Sequence, residues 1–274
     1  MTDTRPIGLF DSGVGGLTVL DAVARRLPGE NLLYLGDTAR LPYGTKSPET
    51  VRRYARRAVE LLLSRGIKAL VVACNTASAL ALDLIEEISP VPVVGVVAPG
   101  ASSAVAAARR LEERGAPRAP IAVLATEATV ASDAYGRAVR ALDPGREVLH
   151  TACPLFVPLA EEGWTENEVA RAAAGRYLAP VRASGARVVV LGCTHYPLLK
   201  GTIAEALLPE TILVDSAETA ARALEAALPA GVRRGGGDAG ETHILVTDAS
   251  ERLARIAGRF LGREAARLEL VDLP

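Results

Sequence analysis

At 274 residues, 49% of them apolar, the chain is long enough for one large or two ordinary domains, and its formal charge of −1 excludes electrostatic capture of nucleic acid as an obvious role. No run of about 18 uninterrupted apolar residues is present, which argues against a membrane-spanning helix; the nearest candidate, 91–108, is broken by Pro92, Pro99 and Gly100. Three cysteines without a CxxC pair, and three scattered histidines (His150, His195, His243), argue against a disulfide framework and a structural zinc site.

In chain order, the opening MTDTRPIGLF lacks the basic and apolar segments of a signal peptide, so a cytoplasmic location is expected. IGLF (7–10), NLLYLG (31–36), KALVVA (68–73) and VPVVGVV (91–97) read as strands, with helical patterns such as LTVLDAVARRL and ETVRRYARRAVELLLSR between them. The second helix has clear punctuation: Ser47 as N-cap, Pro48 at its first position, Gly66 past its end. Further strands are expected at 121–125, 146–151, 187–192, 211–214, 243–247 and 268–271, and Thr165-Glu166-Asn167-Glu168 reads as a capping box opening another helix. The glycine-rich stretch 232–241 reads as a mobile loop too short to divide domains. Strand–helix alternation of this kind predicts an α/β fold of mostly parallel sheets flanked by helices.

A weak internal repeat underlies the pattern. IGLFDSG and IAVLATE lie 114 residues apart, Pro42-Tyr43-Gly44 and Pro158-Leu159-Ala160 116 apart, and Cys74 and Cys193 119 apart. Three near-equal offsets in one order suggest two similar α/β units facing each other.

Parallel sheets bind ligands outside the carboxyl ends of their strands. The polar residues fall there repeatedly: Asp11-Ser12 after the first strand, Asp37 after the second, Cys74-Asn75-Thr76 after the third, Thr126 after IAVLA and Cys193-Thr194-His195 after RVVVLG. Singly, each has a bland explanation: Asp11 as a helix cap, Asp37 and Tyr43 as turn residues, Cys74 and Cys153 as small buried hydrophobes, His195 as an ordinary histidine, and Glu161-Glu162 as surface charge. Matching placement of two thiols moves the balance for Cys74 and Cys193; Cys153 has no polar neighbour following it. DSGVGGLT fits G-x-G at Gly13 and Gly15, but the third glycine of a dinucleotide fingerprint would fall at Thr18, and no GK[ST] follows for a P-loop.

Two opposed thiols could bracket one flat intermediate, one taking a proton from one face while the other donates to the opposite face. Each thiol then needs a proton-accepting neighbour, and Asp11 and His195 are the candidates. The loops bearing Asp11, Cys74 and Cys193 carry no lysine or arginine, so backbone N–H groups of helices beginning near Ser12, Asn75 and Thr194, with nearby hydroxyls, would hold a small carboxylate.

Through IGLFDSGVGGLTVL, YLGDTARLPYG, VVACNTAS, CPLFVPLAEEG and LGCTHYPLL the chain resembles the bacterial glutamate racemases of the aspartate/glutamate racemase superfamily. The resemblance implies two similar α/β domains, 1–97 plus 214–274 and 98–213, with the active site in the cleft between them. It implies bases at Cys74 and Cys193, with Asp11 assisting the first and His195 the second. It further implies catalytic acids at Asp37 and at Glu161 (Glu162 being the alternative), and substrate contacts at Asp11, Ser12, Tyr43, Gly44, Asn75, Thr76, Thr194 and His195, to which position alone adds Thr126. No cofactor or metal is implied; the substrate is glutamate, the assembly a homodimer without nucleic-acid or membrane partners, and the role the supply of D-glutamate for peptidoglycan. Aspartate racemases share the two thiols but usually carry Cys-Thr-Glu at the second motif, so His195 favours glutamate. A pyridoxal-phosphate racemase needs a Schiff-base lysine, and Lys46, Lys68 and Lys200 have no persuasive setting. A regulator binding a protein partner such as DNA gyrase, as some relatives are thought to do, finds no supporting charge cluster.

Overall fold

The computed structural model describes residues 3–228, 239–262 and 268–273. The first stretch runs β1 (Ile7–Asp11), α1 (Leu17–Arg26), β2 (Leu32–Gly36), α2 (Pro48–Ser64), β3 (Ala69–Val72), α3 (Asn75–Leu80), α4 (Leu82–Ile88) and β4 (Val93–Gly95). A second follows: α5 (Val97–Glu113), β5 (Ile121–Ala125), α6 (Glu127–Ala131), α7 (Ala134–Leu142), β6 (Val148–Ala152), α8 (Phe156–Glu162), α9 (Glu168–Ala183), β7 (Val188–Gly192), α10 (Lys200–Ala206) and β8 (Ile212–Asp215). The chain then returns to the first unit with α11 (Ser216–Ala227), β9 (Thr242–Val246), α12 (Glu251–Leu261) and β10 (Leu268–Leu270).

These strands form two sheets, β10-β9-β2-β1-β3-β4 and β6-β5-β7-β8, and every ladder among the described residues is parallel. The fold is therefore α/β, with two parallel sheets flanked by helices. The order β2-β1-β3-β4 recurs as β6-β5-β7-β8, so β1 corresponds to β5 and β3 to β7. Those are the strand pairs on which the sequence repeat lies, and Cys74 and Cys193 follow β3 and β7. The central strands β1, β3, β5 and β7 are buried along their whole length, as continuous apolar runs covered on both faces require.

One large apolar cluster joins the two units, running from Ile7, Leu9 and Val71 through α11 (Ala220, Leu224) to Leu124, Val189 and Leu191. The outer faces close separately, around Phe10, Val72 and Leu62 in the first unit and around Val123, Val190 and Tyr135 in the second.

Local chemistry explains the better-punctuated helices. Ser47 Oγ accepts the Thr50 N–H ahead of α2, Pro48 opens it, and Gly66 follows with φ +71°. Elsewhere the structure corrects the reading. The cap of α9 is Asn167, whose Oδ1 accepts the Ala170 N–H at 2.9 Å, rather than Thr165, because the helix begins two residues later than a Thr165 box requires. The fourth strand is only Val93–Gly95; Val97 already opens α5, and Pro99 is tolerated in that helix's first turn, where its missing N–H has no partner to lose. Most of the glycine-rich loop, 232–238, lies outside the described residues. No helix of the described residues is long and apolar enough to cross a membrane.

Candidate active site

A cavity of about 140 Å³ opens where the carboxyl ends of β1, β3, β5 and β7 face one another. It is closer to an engineered cavity that holds benzene than to the several hundred Å³ of a drug-sized site, so it suits a small metabolite. Both Cys74 and Cys193 line it, together with Ser12, Tyr43, Gly44, Asn75, Thr76, Thr126, Thr194 and His195. Among the described residues no lysine or arginine lines it.

Cys74 ends β3 and caps α3: its Sγ accepts the Ala77 N–H at 3.4 Å, a role more usual for Ser or Asn, and donates to Ser12 Oγ at 3.5 Å. Burial, and then the charge of Asp11, push its thiol pKa up to about 12. Asp11 is fully buried at the end of β1. Its Oδ2 accepts the Gly13 N–H at 2.9 Å while Oδ1 has no hydrogen-bond partner. Burial raises its pKa, against the pulls of His195 and of backbone N–H groups. Asp11 is no helix cap, since Gly16 occupies that position before α1; nor does it line the cavity.

Cys193 sits differently. Its Sγ lies 3.8 Å from Nδ1 of His195, whose Nε2 lies 3.2 Å from Glu161 Oε1 on α8. Burial is the largest influence on the imidazole and pulls its pKa down, but the hydrogen bonds and charges of Cys193 and Glu161 outweigh it and raise the value to about 10. The ring thus sits between the Cys193 sulfur and a carboxylate, an arrangement that favours its protonated form. Of the two adjacent glutamates, Glu161 is the one that meets His195; Glu162 points outward and pairs with Arg252 at 2.6 Å. Replacing Glu161 by glutamine removes a charge that holds the imidazolium, so the His195 pKa falls below about 10; Glu162→Gln leaves it unchanged. Titrating the imidazole resonances by NMR measures both, and an unmoved pKa in Glu161→Gln would refute the pairing.

Helices α3 and α6, the turn at Tyr43, and Pro154, Val157 and Pro158 at the start of α8 supply the remaining lining. Asn75 opens α3 at the site, and Glu127, behind its cap Thr126, opens α6 there. The Ser12 turn runs four residues before α1 begins, and after Cys193 comes a short 3-10 turn, Tyr196–Leu199, so of the three expected helix N-termini the one at Asn75 remains. Thr76 Oγ1 lies 3.0 Å from Thr126 Oγ1 and 3.1 Å from Thr129 Oγ1, a hydroxyl triangle across the two units. Asp37 does not line the cavity. Its Oδ2 accepts the Tyr43 O–H at 2.6 Å, its Oδ1 accepts the Thr247 O–H at 3.0 Å, and Arg40 stands 3.7 Å away. With these partners it holds Tyr43 in place from behind the cavity wall, off the surface a substrate would touch.

Four residues to which sequence reasoning gave no part in the site shape it. Gly15 admits the second unit: a Cβ there would stand 2.3 Å from Thr194 Oγ1 and 2.6 Å from His195 Nδ1. Thr18 Oγ1 reaches the Thr194 carbonyl at 3.3 Å. Phe260 of α12 meets the His195 ring edge-on, centroids 5.0 Å apart at 79°. Glu127 also lines the cavity. The spacing of Gly15 within DSGVGG was the one available signal; nothing in the sequence links Phe260 to His195, 65 residues away.

The family described as Asp/Glu/Hydantoin racemase matches residues 10–224, which includes every residue that brings a thiol to the cavity. The chain belongs to that family. It is 48% identical to a glutamate racemase of Geobacter metallireducens over 98% of this chain and 97% of the other. Among solved structures it resembles glutamate racemase from Francisella tularensis in complex with D-glutamate, with a TM-score of 0.89, 35% identity, and coverage of 99% of this chain and 98% of that one. The Thermus thermophilus glutamate racemase in complex with beta-chloro-D-alanine gives a TM-score of 0.85 at 44% identity, covering 100% of this chain and 99% of the other. A racemase of this family inverts a carbon centre, and two thiols from equivalent strands line this cavity. Among the described residues no group of three or more His, Cys, Asp or Glu is placed to hold a metal ion.

Proposed function

We propose that the chain interconverts L- and D-glutamate by two-base proton transfer between Cys74 and Cys193, without a cofactor. The observation that carries this reading is the pairing of two thiols from equivalent strands on one small cavity, one beside a carboxylate and the other beside an imidazole. Their environments differ in the sense the chemistry needs. Cys74, pushed up to about 12, holds its proton at neutral pH and is ready to donate. Cys193 faces the His195 imidazole at 3.8 Å and is the group that accepts the proton in this direction. In that state L-glutamate loses its Cα proton to Cys193 and the planar intermediate takes a proton from Cys74 on the opposite face. The reverse reaction begins from the state this leaves, with the Cys74 thiolate abstracting the Cα proton of D-glutamate and the Cys193 thiol donating its proton to the opposite face. Substrate carboxylates are held by hydroxyls and amide N–H groups around Ser12, Asn75, Thr76 and Thr194, which leave the site neutral enough for the thiols to exchange roles.

The same reading places the chain in the cytoplasm as a homodimer that supplies D-glutamate for peptidoglycan. It divides the chain near residues 97 and 214, where the polypeptide passes between the two sheets.

Circular dichroism of each glutamate enantiomer tests the activity, and a D₂O experiment tests the two bases. Deuterium should enter the product enantiomer while the early unreacted substrate keeps its proton. Rapid deuterium uptake into recovered substrate would mean that one thiol both removes and returns the proton.

A further inference from the structure

Tyr135, on α7 of the second unit, is buried to 1% exposure and reaches across to Asn75 on α3 of the first. Its hydroxyl lies 2.6 Å from Asn75 Oδ1, and Asn75 Nδ2 lies 3.5 Å from Ser216 Oγ. The shorter distance suits an O–H···O bond and is below the usual range for N–H···O, so the amide oxygen, not its nitrogen, faces the tyrosine. The ring has a fitted seat: a Cβ added at Gly100 or Gly192 would stand 3.2 Å from it. Burial raises the phenol pKa, so the group remains an O–H donor over the working pH range.

We infer that Tyr135 is a positioning residue that fixes which way the Asn75 amide faces, presenting its N–H donors rather than its carbonyl to the substrate. An asparagine amide carries two donors and one acceptor oxygen, whereas a carboxylate only accepts. With Oδ1 committed to Tyr135, the Asn75 side chain can give N–H hydrogen bonds into the cavity it lines. Rotated by half a turn, the same amide would set its oxygen against a carboxylate oxygen and repel it. Tyr135 thus contributes to affinity for an anionic substrate without touching it, and it does so from the opposite unit, so the donor face of Asn75 is set only when the two units are together. This inference rests on glutamate being the ligand of the cavity.

Tyr135→Phe keeps the ring in its seat and removes only the hydroxyl. We expect KM for both glutamate enantiomers to rise about tenfold to a hundredfold, with kcat changing less than about threefold. In an Asn75→Ala background the same change should add nothing further, a non-additivity that a merely structural tyrosine would not produce. Gly100→Ala, which presses a methyl on the ring, should show the same KM-weighted loss in milder form and serves if Tyr135→Phe folds poorly. A wild-type KM in Tyr135→Phe, or a full additional loss in the Asn75→Ala background, overturns the inference while leaving glutamate racemisation intact. Wild-type protein inert on glutamate in the same assay would overturn the functional reading and this inference with it.

Discussion

Cys74→Ala and Cys193→Ala each lose racemisation by about 10²–10⁴-fold or more, while Cys153→Ala stays near wild type. That range is the ordinary worth of one acid–base group; the loss should reach its upper end or beyond because each face of the cavity offers no second base to substitute. Asp11 is off the cavity lining, and His195 has its ring nitrogens turned to Cys193 and Glu161. Neither can reach a Cα proton in the thiol's stead without rearrangement. Cys153 is chemically the same residue in a different place: fully buried, off the cavity, its Sγ 3.6 Å from the Thr151 carbonyl, with burial pushing its pKa well up. It packs as a small hydrophobe, so alanine there costs a little stability and no chemistry. Steady-state rates by circular dichroism in both directions, with unfolding midpoints as control, decide the matter. A robustly active Cys74→Ala or Cys193→Ala would remove the two-thiol mechanism.

The second large effect is expected at a residue with no functional group. Gly15→Ala should lower kcat by about 10²-fold with little change in secondary structure. The new Cβ would require Thr194 Oγ1 and the His195 ring, 2.3 and 2.6 Å away, to give ground. The imidazole has little room to retreat, since Cys193, Glu161 and Phe260 already surround it. Displacing a catalytic group by about 1 Å can cost about 10²-fold in rate even when the fold survives. Gly175→Ala, in α9 with nothing within 4 Å of the added methyl, is the matched control and should be neutral or slightly stabilising. Activity of Gly15→Ala within about threefold of wild type would show that the loop yields and that this close approach does not set the geometry of His195.

These two predictions differ in how visible their residues are in the sequence. Cys74 and Cys193 stand out because each ends an apolar run and is followed within two residues by threonine, a local pattern that needs no fold to be noticed. Tyr43 is bracketed by Pro42 and Gly44 in the same legible way. Glu161 and Glu162, by contrast, are adjacent and chemically identical; only the phase of α8 turns one toward His195 and the other toward Arg252. Asp37 looked like an acid at a strand end, yet its tyrosine and threonine partners come from Tyr43 and from Thr247, 210 residues away, and they consume its oxygens.

The alternation of buried strands with punctuated helices determined the fold class, and matching strand ends determined which two cysteines matter, because both rest on periodicity and on neighbours along the chain. The tertiary structure alone decided the raised pKa of Cys74, the meeting of Glu161 with His195, the partners of Asp37 and the close approaches of Gly15, Tyr135 and Phe260. Those properties depend on burial and on hydrogen bonds between the two units, and a pKa or a side-chain orientation is set by whatever lies within a few ångströms in space, however far away it lies in sequence.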